Sequence, residues 1–272
     1  MNQPLQHSQS ACVSLPVDVT CNAPSACEQR LVCIAEEVPV AFRYNGFSHA
    51  VMMATPGDLQ DFAVGFSRTE GVIEAISDLQ DISIGQSDEG TSIDISLGGD
   101  ALHRYLATRR VRQLRGHTSC GLCGIEDLND VHRPGFRVPA ATAPRADSIS
   151  SALTSLRQWQ PLSRLTRCAH ASAWVTLDGD LRTVREDVGR HNSLDKLVGA
   201  MLREGLETTC GFCLITSRCS FEMVQKAIAA GFPTLVSAGS PTALAIRCAQ
   251  TSGVRLYSLS RYGEPLQFTS PA

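Results

Sequence analysis

At 272 residues, 43% hydrophobic and 19% charged, the chain has the balance of a folded protein able to bury a sizeable core. Its formal net charge of −3 excludes a general attraction to nucleic acid or to an acidic membrane face, so any anion must be held by a local patch. No stretch reaches the roughly 20 apolar residues of a membrane span, and residues 1–30 lack the basic start and apolar run of a secretory signal, which points to the cytoplasm.

In chain order, residues 1–30 carry Pro4, Pro16, Pro24 and many Ser and Gln residues, and are expected to be a disordered tail. Strands are expected at 31–35, 38–44 and 47–53, with Asn45-Gly46 as a hairpin turn. Thr55 as N-cap, Pro56 at the first helical position and Asp58 near the positive end predict a helix, with Leu59, Phe62, Ala63 and Phe66 on its apolar face. Two further strands, 81–85 and 92–97, precede a helix over 101–108 and a Gly- and Cys-rich loop. Residues 31–132 thus read as an N-terminal α+β lobe.

Residues 133–147 shift to Pro, Ala, Arg and Gly without period and read as a linker. Residues 148–272 follow as a second lobe. It opens with a helix over 149–159 and strands 171–177 and 181–184 around Asp178-Gly179. The last 90 or so residues alternate helix 192–204, strand 210–216, helix 221–230, strand 234–238, helix 241–252 and strand 254–259. Ser220 and Ser240 are the expected caps. Such alternation predicts an α/β fold with parallel strands.

Eleven cysteines, an odd number in a chain this large, are expected to be reduced thiols rather than a disulfide framework. The segment Thr118-Ser119-Cys120-Gly121-Leu122-Cys123-Gly124 sets two thiols on a glycine-flanked loop. Upstream, Arg104, Arg109, Arg110, Arg112, Arg115 and His117 have no acidic residue among them, a field that favours the nucleophilic thiolate and attracts phosphate. The competing reading is half of a structural zinc site. A second pair, Cys210 and Cys213, is too far along the chain for a zinc ribbon, and Cys213 opens an apolar run, so this pair reads as packing. Cys219 lies at a strand-to-helix turn, where the packing reading is also ahead.

The stretch from Arg185 to Lys196 crowds ionisable residues at a strand end that opens a helix, the place where open α/β sheets bind ligands. There Asp187, Arg190 and His191 offer hydrogen bonds to a base, ribose or phosphate; a helix cap with i,i+4 ion pairs explains them equally well. The turns around Arg218 and Gly239 are expected to offer free N–H groups to an anion such as pyrophosphate.

Taken together, Cys120 to Leu128, Glu186 to Lys196, Thr216 to Ala227, Gly239 to Ala245 and Glu70 to Ile73 resemble, in order, the FdhD family. The resemblance covers roughly residues 30–270. It implies a sulfurtransferase that takes sulfur from a cysteine desulfurase as a protein persulfide. That sulfur passes to the molybdenum cofactor, bis-molybdopterin guanine dinucleotide, for formate dehydrogenase; GDP would mimic the nucleotide half. It implies Cys120 as the persulfide site, Cys123 as its companion, and Leu259, Ser260, Arg261, Tyr262, Gly263 and Glu264 as the cofactor loop. Glu264 stands where many relatives carry a basic residue. The resemblance also implies a cytidine-deaminase-like core and a homodimer, without nucleic-acid or membrane partners. No His-x-Glu followed by Pro-Cys-x-x-Cys occurs, so zinc deamination is not expected and no metal ligands are assigned. The rival readings are a cofactor-binding chaperone without persulfide chemistry and a zinc-stabilised structural protein.

Overall fold

The computed structural model describes residues 11–19, 28–113, 137–260 and 262–271. Strands β1 (Cys12–Val19) and β2 (Glu28–Ala35) pair antiparallel as a ribbon. β1 lies inside the stretch expected to be a tail: the alternation Val13, Leu15, Val17 that defines it is hidden by Pro16 and polar neighbours. β3 (Val38–Tyr44), β4 (Phe47–Ala54), β5 (Leu79–Ser87) and β6 (Gly90–Leu97) form a sheet in the order β4-β3-β6-β5. Asn45 and Gly46 both take positive φ, 47° and 82°, as the tight hairpin turn requires.

Helices α1 (Leu59–Thr69) and α2 (Gly99–Gln113) pack on that sheet. Phe62 and Phe66 of α1 and Tyr105 of α2 meet Phe42, Ile93 and Ile95 in one core. The start of α1 differs from expectation. Asp58, at φ 55°, is the N-cap residue, while Thr55 bonds into the other lobe.

The second lobe comprises α3 (Ala146–Leu156), α4 (Pro161–Thr166), β7 (His170–Thr176), β8 (Leu181–Asp187), α5 (Arg190–Glu204), β9 (Gly211–Ile215), α6 (Phe221–Ala230), β10 (Thr234–Ser237), α7 (Ala243–Ser252), β11 (Arg255–Leu259) and β12 (Pro265–Gln267). The short α4 and β12 were not expected: each is too brief to show a period. Strand order is β12-β11-β10-β9-β7-β8. β9, β10 and β11 are parallel, whereas β7 and β12 run against their neighbours, so the sheet is mixed rather than parallel throughout. Leu194, Leu197, Met223, Val224, Ala245 and Ala249 place α5, α6 and α7 on one face. Ile149, Ala152 and Leu156 of α3 cover the other, against Val175, Leu214 and Val236. The result is a helix–sheet–helix α/β lobe.

Helix α7 starts at Ala243 rather than at Pro241, because Thr242 and not Ser240 caps it: its Oγ1 accepts the Ala245 N–H at 3.2 Å. Replacing Thr242 by Ala is expected to lower stability by about 1 kcal/mol. Urea unfolding should show this as a lower midpoint at unchanged slope. An unshifted midpoint would mean that water serves Ala245 equally well.

The lobes meet where α1 crosses α5. A methyl group on Gly65 would overlap the Asp195 carbonyl and lie 2.7 Å from the Gly199 nitrogen. One on Gly199 would overlap the Asp61 carbonyl and lie 2.8 Å from the Gly65 nitrogen. The helices therefore touch backbone to backbone, which a side chain on either glycine would prevent.

Candidate functional site

Because β7 is antiparallel to both β8 and β9, strands β8, β9, β10 and β11 all point the same way. Their C-terminal ends bring four segments to one edge of the sheet: the start of α5, the turn through Arg218, the turn through Gly239, and the hairpin at 260–264. Sequence spacing alone does not show that these segments converge.

The charged stretch from Arg185 to Lys196 divides sharply once its partners are known. Arg185 Nε donates to Asp61 Oδ2 at 2.7 Å, and Arg203 pairs with the other oxygen of Asp61. Glu186 accepts the N–H groups of Leu162 and Ser163, both at 2.8 Å. Asp187 is fully buried; it accepts from Thr55 N, Thr55 Oγ1, Gly189 N and Asn192 Nδ2, and pairs with Lys196 Nζ at 2.6 Å. Asp195 is likewise buried against Lys226 Nζ at 2.9 Å and Thr69 Oγ1 at 2.6 Å. Glu186 thus holds α4, and the others fasten α1 and Thr55 to the second lobe. The expectation that Asp187 meets a ligand is thus corrected: both of its oxygens are engaged within the chain.

His191 is different. Its Nε2 is buried and has no hydrogen-bond partner among the described residues. Burial first, then the positive charges of Arg190 and Lys226, bring its pKa down to about 4, against the pull of Glu222 and Glu70. The ring is therefore neutral at pH 7, and Nε2 could donate or accept according to tautomer.

Arg218 is exposed on the β9–α6 turn. Four of the N–H groups in the two turns, expected to be free, are engaged within the chain. Thr216 N donates to Ala171 O at 3.0 Å, Ala238 N to Ile215 O at 2.8 Å, Gly239 N to Ser217 O at 3.1 Å and Thr242 N to Cys219 O at 3.1 Å. The two turns lie against each other: a Cβ on Gly239 would come within 3.0 Å of the Arg218 backbone. The side-chain charge of Arg218 is what the exposed turn offers an anion.

Leu259 ends β11, half-buried, opposite Pro265 of β12. The loop beyond it is a closed hairpin. Ser260 N donates to Glu264 O at 2.8 Å and Gly263 N to Ser260 O at 3.0 Å, while Ser260 Oγ accepts from Tyr262 N and Glu264 N, both at 3.1 Å. Gly263 takes φ 86°, and Ser260 Oγ also lies 3.2 Å from Glu264 Oε2. Tyr262 is 82% exposed. Arg261 lies outside the described residues.

Cys120 and Cys123 also lie outside the described residues, as do Arg115 and His117. Arg104, expected to contribute to the basic field, donates instead to Asp78 at 2.9 Å, with Glu74 at 3.6 Å. Cys213 is buried while Cys210 is exposed 3.7 Å from Glu207, so the pair does not face one ligand. Burial, with a smaller contribution from Cys248, pushes the Cys219 thiol up to about 12 and leaves it inert as a thiolate. Among the described residues no three His, Cys, Asp or Glu side chains gather to hold a metal, and no helix is long and apolar enough to cross a membrane.

Residues 35–272 match the model of the FdhD/NarQ family. The chain is 44% identical over 238 residues to the sulfur carrier protein FdhD of Cupriavidus necator, covering 88% of this chain and 82% of that one. It is 44% identical over 233 residues to the protein of the same name from Acinetobacter baylyi, covering 84% and 83% respectively. The crystal structure of a putative formate dehydrogenase accessory protein from Desulfotalea psychrophila superposes with a TM-score of 0.74 over 96% of this chain and 98% of that one, at 23% identity. That likeness shows the fold.

Proposed function

Since the chain belongs to the FdhD/NarQ family, we propose that it is a cytoplasmic sulfurtransferase, carrying sulfur as a Cys120 persulfide from a cysteine desulfurase to the molybdenum cofactor of formate dehydrogenase. The cofactor is cargo here, bound as bis-molybdopterin guanine dinucleotide, and the working unit is a homodimer. Supporting this reading above all is the match with sulfur carrier proteins along most of the chain.

The Cys120 thiolate attacks the outer sulfur of the donor persulfide, and the donor cysteine leaves as thiolate. Cys123 then attacks the inner sulfur of the Cys120 persulfide. A disulfide forms and the outer sulfur departs as hydrosulfide, so the dithiol supplies both electrons.

The sheet edge is the proposed resting place of the cargo. Arg218 and Arg261 supply charge to phosphate, Tyr262 an aromatic face to guanine, and His191 Nε2 a buried polar contact. GDP serves as a probe of that edge.

Incubation with a desulfurase and cysteine, followed by intact-mass analysis, should add one sulfur atom to the parent chain and none to Cys120→Ala. Sulfur retained in Cys120→Ala would move the role to Cys123 or elsewhere. Arg218→Ala should weaken GDP binding by roughly tenfold, the loss of one charge-assisted contact. Unchanged affinity would place the nucleotide away from this edge.

A further inference from the structure

The ribbon of β1 and β2 carries a thiol pair that plays no part in the sulfur transfer above. Ser14 lies directly opposite Cys33, and Cys12 opposite Ala35, so Cys12, Ser14 and Cys33 share one side of the ribbon. Cys12 and Cys33 Sγ atoms are 4.0 Å apart, and Ser14 Oγ is 3.7 Å from Cys33 Sγ. Both cysteines are half-buried, and both precede residue 35, where the family match begins.

We infer that Cys12 and Cys33 form a reversible disulfide by exchange with a low-molecular-weight disulfide, closing a redox-sensitive strap across the ribbon. Three observations carry this. The sulfurs lie 4.0 Å apart on a shared side of paired strands, in diagonal positions, so closure keeps the register but draws the two strands together as both side chains rotate. The hydrogen bond is directional: Cys12 donates toward Cys33, leaving Cys33 to present its lone pairs and act as the attacking sulfur. Burial, and then that same hydrogen bond, push the Cys12 thiol upward, which suits it to respond second.

The electrons balance through two exchanges. Cys33 thiolate attacks the small disulfide, forming a mixed disulfide and releasing one small thiolate. Cys12 then gives up its proton and attacks Cys33 Sγ, forming the Cys12–Cys33 bond and releasing the second small thiolate. Two protein thiols are oxidised and one small disulfide is reduced.

The strap sits at the root of the ribbon. One further backbone bond, Glu36 N to Ala11 O at 2.8 Å, lies beyond the Cys12–Ala35 pair, and β3 follows directly. β2 also lies against α4, but a two-stranded ribbon is itself marginal in water. A covalent tie there would hold the ribbon while it exposes Val13, Leu15, Val17, Val32 and Ile34 on its other side.

The test treats the full-length chain with oxidised glutathione and maps its peptides by mass. The expected product joins Cys12 to Cys33, lacks the mass of two hydrogen atoms, and reverts with reductant. Cys12→Ser should stop at a stable glutathione adduct on Cys33. Cys33→Ser should leave Cys12 reacting on the order of tenfold more slowly. A link from either cysteine to Cys21 or Cys27, or Cys33→Ser reacting at the parental rate, would overturn the assignment. Sulfur loading of Cys120 is read separately, so its failure would leave this result untouched.

Discussion

Lys196→Ala is expected to destabilise the protein by about 3–5 kcal/mol, the cost of breaking a buried ion pair. Lys196 and Asp187 are both fully buried, and the ammonium spends its donors within one small cluster. Besides Asp187 it reaches Thr55 O at 3.0 Å and Thr55 Oγ1 at 2.9 Å, and it lies 5.6 Å from the centre of the Phe62 ring. Taking the cation away leaves a carboxylate enclosed without an opposing charge, and also strips a donor from the Thr55 carbonyl. For a chain of this size the melting temperature should drop on the order of 10 °C. The double variant Lys196→Met, Asp187→Asn should recover part of the loss, because no charge is then stranded. A drop below about 1 kcal/mol for Lys196→Ala would show that water or a rearranged partner reaches Asp187.

Gly199→Ala should cost about 3 kcal/mol, at the upper end for overpacking, because the added methyl meets backbone rather than a side chain able to rotate. The Asp61 carbonyl and the Gly65 nitrogen occupy the space it needs. Gly65→Ala faces the reciprocal obstacle, against Asp195 and Gly199. Relief in either case means moving α1 off α5, so the first methyl bears most of the cost. Gly65→Ala, Gly199→Ala together should therefore be clearly less damaging than the sum of the singles. Full additivity in denaturant titrations would mean that the two glycines are accommodated separately, not by one helix displacement.

Much of the second lobe is legible from residue pattern. Helix α6 lies at 221–230 as expected, its end set by Gly231 at φ 82°. The strands around it appear within a residue or two, because apolar runs and glycine stops act locally. Long-range choices are less visible. Thr55 looks like a helix cap and instead binds Asp187, a partner 132 positions away. Gly65 and Gly199 sit among good apolar spacing, yet nothing nearby in sequence reveals that they face one another. The charged stretch shows the same division: Asp187, Asp195 and Lys196 have partners outside their own strand or helix, while His191 keeps a nitrogen unengaged among the described residues. A missing partner of that kind has no sequence signature.

The bare crossing of α1 and α5 also bears on how sulfur can travel. α2, which leads toward Cys120, shares a core with α1, whereas the turns at Arg218 and Tyr262 belong to the sheet that α5 covers. With main chain against main chain, flanked by buried ion pairs, the junction leaves little room for one half to swing on the other. Delivery by a hinge is therefore disfavoured.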